Sequence, residues 1–270
     1  MAKLKIGIIG CGAMGSEIAR ACQGMLSSSM ELAAICDIDE EKARKLSGSL
    51  KPGAKVLKLD ELIEGADLVV EAASAAVSGS VLEKCIKAER DCLIMSVGGL
   101  IAKADLLKEA DASGVRVYIP SGALCGIDGL KSASGGRVES VTLTTRKPPK
   151  GLEGAPYLKE KKIDLSGVKK ETVVFEGTAV EAVKGFPANV NVSAVLSLAG
   201  IGAEKTRVRI VTSPEYTRNT HEVEITGDFG RIMTRTENVP SPGNPKTSSL
   251  AIYSAIATLE GIAKSVRIGT

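Results

Sequence analysis

The chain has 270 residues, 44% hydrophobic and 25% charged, which is room for two ordinary globular domains and excludes a disordered composition. Its net charge of +3 comes from 35 Lys and Arg interspersed with 32 Asp and Glu, so no basic footprint for nucleic acid is expected. No uninterrupted apolar run approaches a membrane span, and a strand begins within a few residues of the start, so neither membrane insertion nor a signal peptide is expected.

Residues 4–9 read as a buried strand, followed by Gly10-Cys11-Gly12-Ala13-Met14-Gly15 and a helix over 13–26, with Ile18, Ala21, Cys22 and Met25 on one face. Leu32–Cys36 is a second apolar strand ending at Asp37, and a charged helix over 39–47 follows, stopped by Gly48. Val56 marks a short third strand. Asp60 can cap a short helix to Glu64, with Gly65 as its stop. Strands over 67–73, 92–97 and 115–119 alternate with helices over 76–89 and 103–112. Strands apolar on successive residues, alternating with helices, predict a doubly wound parallel sheet of the Rossmann type over residues 1–120.

The pattern then changes. A small-residue helix covers about 124–134, and Val138 to Thr145 alternates with period two. Residues 147–167, with three prolines and several Lys and Glu, read as a surface excursion. A strand at 173–175, helices over 178–185 and 188–198, and alternating strands near 206–212, 221–227 and 230–236 predict a second α+β domain over 121–246. Its sheet is expected to be open and mainly antiparallel, with helices on one face. Pro240 to Pro245 reads as a loop. A last helix over 247–264 opens at Asn244–Ser248 and is expected to pack back on the first domain.

The first glycine motif has the context that a dinucleotide needs. Gly10 permits the turn off the strand, Gly12 lets the backbone approach a pyrophosphate, and Gly15 lets the helix pack closely. The stretch Gly12, Ala13, Met14, Gly15 opens a helix whose N–H groups face phosphate. Asp37, 22 residues after Gly15, stands where ribose hydroxyls are bound, and Ile38 follows it rather than an arginine, favouring NAD over NADP. Later strands end in Ala73-Ser74, Ser96-Val97-Gly98 and Ser121-Gly122-Ala123, small residues that suit close approach by a nicotinamide and equally suit ordinary turns.

His221, in Asn219-Thr220-His221-Glu222, is the single histidine. With an ordinary pKa near ~6.5 it is either the proton acceptor of a dehydrogenase or a solvated residue at a strand start. Asn189 and Asn191 either cap a helix or point a carboxamide into a cleft. Lys131, Arg218, Arg231 and Lys246 are candidate partners for an anionic substrate, and Lys246 is equally a solvated lysine. The six cysteines form no C-x-x-C and read as reduced core thiols of a cytoplasmic protein, Cys11 as a space-filler in the glycine loop. No metal site is expected.

Taken together, Gly10–Gly15, Pro120–Ala123 with Gly126–Lys131, Phe186–Val192, Asn219–Glu222 and Asn244–Ser248 resemble the L-aspartate dehydrogenases. The resemblance implies NAD(P)-dependent oxidation of L-aspartate through iminoaspartate to oxaloacetate and ammonia, and a supply of iminoaspartate to quinolinate and NAD biosynthesis. It implies His221 as the catalytic residue and Ala123 and Asn189 as cofactor contacts. Gly10, Gly12, Gly15, Asp37, Ala73, Ser74 and Gly98 complete the expected cofactor site, and Ser121, Lys131 and Lys246 the substrate site. A homodimer joined through the second domain's sheet is implied as well. A homoserine-dehydrogenase-like or dihydrodipicolinate-reductase-like enzyme is the alternative within the class, and a non-catalytic dinucleotide sensor the alternative outside it.

Overall fold

The computed structural model describes residues 2–187, 191–241 and 244–270, with the backbone alone at 244–246. The chain divides into two compact units, residues 1–120 with 252–267, and residues 121–251 with 268–270.

In the first unit the apolar runs form one parallel sheet, as strands needing cover on both faces do. Its strands are β1 (Leu4–Ile9), β2 (Met30–Cys36), β3 (Lys55–Val56), β4 (Leu68–Glu71), β5 (Asp91–Ile94) and β6 (Val117–Tyr118), in the order β3-β2-β1-β4-β5-β6. The order reverses between β1 and β4, and the crevice beyond the ends of those two strands is where such sheets bind ligands. Connecting helices are α1 (Ala13–Gln23), α2 (Glu40–Ser49), α3 (Leu59–Gly65), α4 (Ala75–Lys87) and α5 (Asp105–Ser113). Ile6, Ile8, Ile18, Ile35, Val70 and Leu93 form the core. Ala255 and Leu259 of the last helix are fully buried in that same core. Burial of the leucine alone contributes roughly 1.5–3 kcal/mol.

The second unit holds α6 (Ile127–Ala133), β7 (Val138–Lys147), α7 (Pro156–Glu160), β8 (Thr172–Thr178), α8 (Ala179–Gly185), α9 (Asn191–Ala199), β9 (Arg207–Thr212), β10 (Asn219–Gly227) and β11 (Gly230–Asn238). The five strands run in the order β11-β10-β7-β9-β8. Three of the four pairings are antiparallel and β7–β9 is parallel. Leu130, Ala182, Phe186 and Leu196 from the helices bury the inner face of this sheet. Thr178 starts α8 with a reciprocal capping box, its hydroxyl accepting from Glu181 N while the Glu181 carboxylate accepts from Thr178 N at 2.7 Å.

Several elements differ from the sequence reading. Helix α1 ends at Gln23, and Met25 stands in the following turns, 70% exposed, rather than on the buried face. Helix α2 runs through Gly48 to Ser49, with Asp39 as its cap. Asp60 does not cap α3: Lys58 holds that position and Asp60 lies in the first turn, paired with Lys84 at 2.5 Å. The stretch 147–167 is no mere excursion, because Leu152, Leu158 and Leu165 are buried in the second core. Pro240–Ser241 (β12) and Asn244–Ser248 (β13) pair antiparallel, so the expected loop is a small hairpin. The last helix, α10 (Ser249–Ala263), opens at Ser249 rather than at 247. Ser248 caps it, its Oγ accepting from Leu250 N at 3.2 Å. Cys11, Cys22, Cys85 and Cys92 are buried, whereas Cys125 is exposed and no core thiol. Among the described residues no helix is long and apolar enough to cross a membrane.

Candidate active site

Gly10 ends β1 with φ of +97°, and a Cβ there would lie 2.6 Å from the Ala72 carbonyl oxygen at the end of β4. Only glycine fits that close passage. At Gly15 a Cβ would lie 1.8 Å from the Gly10 carbonyl oxygen, so α1 sits against the strand through that missing atom. Gly12 is different: a Cβ there meets nothing within 4 Å, and the room lies at the N-terminus of an 11-residue helix with no acidic residue in its first turn. Free N–H groups, a positive helix end and open space suit a pyrophosphate. Ala13 and Met14 form that first turn.

Asp37 follows β2. Its Oδ2 accepts from Cys11 N at 2.7 Å and its Oδ1 from Asp39 N at 2.9 Å, which fixes the carboxylate against the glycine loop. Ile38 beside it is fully exposed. The residues of this crevice fit a dinucleotide, with Asp37 where ribose hydroxyls bind and exposed Ile38, rather than an arginine, following it.

Glu71, unremarked in the sequence, organises the next two strand ends. It is fully buried at the end of β4, its Oε1 accepts from Ala73 N at 2.8 Å, and its Oε2 from Ser96 N at 2.9 Å. Burial pushes its pKa up, and the hydrogen bonds from Ser96, Ala73 and Ser74 act in the opposite direction. One carboxylate thereby ties Ala73-Ser74 to the segment that leads into Gly98. An acidic residue in an otherwise apolar strand was the available signal. Glu71→Ala leaves the buried Ser96 N–H and the more exposed Ala73 N–H without this acceptor and is expected to destabilise the first unit by about 1–3 kcal/mol. Denaturant unfolding checks this, and an unchanged midpoint would contradict it.

In the second unit, the inner face of the sheet is apolar along most of its length and polar at one end. Along β7 the face reads Val141, Leu143, then Thr145 and Lys147. Along β10, approached from the other direction, it reads Ile225, Val223, then His221. Thr145 lies opposite His221 in the register, and the Thr145 hydroxyl and His221 Nδ1 are 3.0 Å apart. His221 is 4% exposed, so the solvated alternative is excluded. Its pKa is lowered to about 3, first by burial and then by the charge of Lys147, which corrects the near-neutral value expected from sequence. Lys147 is itself buried, and burial lowers its pKa to about 8. A cavity of about 590 Å³ lies at this end of the sheet, lined by Lys147, Lys150, Glu153, Phe186, Arg218 and Asn219 among others.

Asn238, at the end of β11, is 3% exposed and joins two expected site segments. Its Nδ2 donates to the Ala123 carbonyl at 2.9 Å, and its Oδ1 accepts from Ser248 Oγ at 2.6 Å. Gly122 has φ of +69° and Ser121 is half-buried. Lys131 is exposed on α6 and donates from Nζ to the Thr270 carbonyl at 2.8 Å. It is not among the residues lining the cavity. Arg231 pairs with Glu224 at 2.9 Å on the outer face of the sheet, away from His221. Lys246 lies on strand β13. Asn189 lies outside the described residues.

A parallel sheet of this order with a glycine cradle, joined in sequence to a second sheet carrying a buried imidazole, defines a two-domain NAD(P)-dependent dehydrogenase. Residues 10–120 match the homoserine dehydrogenase NAD-binding domain family, and residues 128–262 match the aspartate dehydrogenase C-terminal family. The chain belongs to the L-aspartate dehydrogenase family. It is 51% identical to L-aspartate dehydrogenase of Methanosarcina acetivorans, over 99% of this chain and all of that one. It is 39% identical to that of Bradyrhizobium diazoefficiens, over 99% of this chain and 95% of that one. The crystal structure of aspartate dehydrogenase from Thermotoga maritima aligns with a TM-score of 0.77 at 28% identity, covering 99% of this chain and all of that one. A myo-inositol dehydrogenase from Sinorhizobium meliloti, described as putative, shares the fold alone, at 18% identity and a TM-score of 0.53 over 98% of this chain and 91% of that one.

Proposed function

We propose that the chain oxidises L-aspartate at Cα with NAD(P), giving iminoaspartate, which water converts to oxaloacetate and ammonia. The observation that carries this reading is the buried imidazole of His221 on Thr145, one pleat along β7 from Lys147, which lines a cavity with cationic residues. Gly10, Gly12, Ala13, Met14 and Gly15 hold the pyrophosphate, and Asp37 holds the ribose, which favours NAD. Ala73, Ser74 and Gly98, at strand ends of the first unit, are its further cofactor contacts, and the family resemblance implies Ala123 and Asn189 as cofactor contacts as well. When bound, the dinucleotide supplies the hydride acceptor.

The base role calls for one tautomer of His221: Nδ1–H donates to the Thr145 hydroxyl, and Nε2 takes a proton from the substrate amine as Cα is oxidised. The same nitrogen then holds that proton while water adds to the imine carbon.

Iminoaspartate is a quinolinate precursor, so the reaction supplies NAD biosynthesis. A homodimer forms through the outer face of the second sheet, where the Arg146–Glu222 and Arg235–Glu222 pairs and exposed Met233 lie. Six free cysteines suit the reducing cytoplasm.

A panel of amino and hydroxy acids with NAD, read at the NADH absorbance, tests the substrate. L-aspartate is expected to exceed L-homoserine by about a hundredfold or more in kcat/KM. Turnover of L-homoserine without L-aspartate would overturn the reading, as would NADH binding with no turnover of any substrate.

A further inference from the structure

We propose that Lys147 is the buried cation that binds one carboxylate of the substrate beside His221, with Arg218 on the rim of the same cavity binding the other. The assignment rests on the aspartate-oxidising activity proposed above. Period two along β7 places Lys147 on the same face as Thr145, one pleat beyond it. Thr145 is the residue opposite His221. The strand is fixed there from its other side as well, because Lys147 pairs with Thr212 of β9, whose hydroxyl donates to the Lys147 carbonyl at 2.8 Å. The Lys147 side chain is therefore held at the polar end of the face rather than led out to solvent.

The cavity that Lys147 lines has the right charge. Its charged lining residues are Lys147, Lys150 and Arg218 against Glu153, an excess of two positive charges. Lys147 is buried, and Arg218 and Lys150 are exposed, so the cations span the cavity from floor to rim. A dicarboxylate has one anionic group for each end. A compact ammonium suits the closed end, and the planar fork of Arg218 suits bidentate capture where the substrate enters.

The same placement couples binding to proton transfer. The charge of Lys147 works with burial to keep His221 unprotonated. A carboxylate seated on Lys147 offsets that charge, so His221 accepts its proton more readily with substrate in place than without it. Amino acids that lack the second carboxylate forgo one of these two contacts and are discriminated against.

The test measures initial rates against L-aspartate at saturating NAD, NADH affinity by fluorescence, and melting, in the wild type, Lys147→Met, Lys147→Arg and Arg218→Gln. Lys147→Met is expected to raise KM about a hundredfold and Arg218→Gln about tenfold, with NADH affinity kept. Lys147→Arg, which keeps the charge but not the compact ammonium, is expected to fall between the wild type and Lys147→Met. A KM within about threefold of wild type in Lys147→Met would overturn the assignment. If that variant fails to fold, the wild type decides: limiting acetic anhydride at pH 8 modifies Lys147 in a peptide map, and succinate, but not butyrate, protects it. Equal labelling with and without succinate overturns the assignment. Absence of NADH formation from L-aspartate in the wild type would instead overturn the activity itself.

Discussion

His221→Ala is expected to lower kcat for aspartate oxidation by about two to four orders of magnitude while NADH binds as in the wild type. The imidazole is 4% exposed and its pKa lies at about 3, so it is neutral, and able to act as a base, throughout the neutral range. The unfolded chain has the histidine near ~6.5 and binds its proton first as the pH falls. Stability from the neutral buried imidazole is therefore complete above pH ~6.5 and is lost as the pH falls from there towards about 3, at up to ~1.4 kcal/mol per pH unit. The alanine variant lacks that slope. A parallel acid titration of wild type and variant by denaturant unfolding separates this effect from catalysis. Near-normal turnover in His221→Ala would remove the residue from the chemistry.

The second large effect belongs to the glycine cradle, where two neighbouring glycines are expected to fail in different ways. Gly15→Ala places a methyl group 1.8 Å from the Gly10 carbonyl oxygen, both partners being backbone that cannot swing aside. Helix α1 must then move away from β1, and the chain is expected to lose both NADH binding and roughly 1–3 kcal/mol or more of stability. Gly12→Ala meets nothing within 4 Å in the protein, so its melting is expected to stay within ~0.5 kcal/mol of wild type. Its methyl group instead occupies the room for the pyrophosphate, and NADH binding is expected to weaken at least about tenfold. Fluorescence titration with NADH beside a melting curve checks the pair. Full NADH affinity in Gly12→Ala would show that the open space is not the phosphate site.

The first unit was legible because each apolar run is bounded by a turn signal and the glycine loop stands where its physics requires a strand before it and a helix after it. The second unit was legible in outline but not at its polar end. Lys147 sits in Arg146-Lys147-Pro148-Pro149-Lys150, which reads as surface. Only by continuing the period from Val141, Leu143 and Thr145 for one more step does it fall on the inner face. Burial of a lysine is a property of the neighbouring strands, and no local pattern announces it. For the same reason the sequence does not disclose the lowered pKa of His221, since its displacement comes from the cover over the sheet and from a residue 74 positions earlier in the chain. Asn244–Ser248 carries capping letters, of which Ser248 does cap α10. The same segment pairs with Pro240–Ser241 as a local hairpin, which its prolines and turn residues did not distinguish from a loop. Asn238 was hidden too, because its value lies in joining Ala123 to Ser248 across more than a hundred residues.

The most direct test of the central claim is the reductive assay: the initial rate of NADH oxidation with oxaloacetate and ammonium together, compared with each alone and with the His221→Ala variant. The account predicts rapid NADH consumption by the wild type only when both are present, with L-aspartate as product, and a rate lower by at least about a hundredfold in the variant. Consumption without ammonium, or no consumption by a wild type that binds NADH, would contradict it.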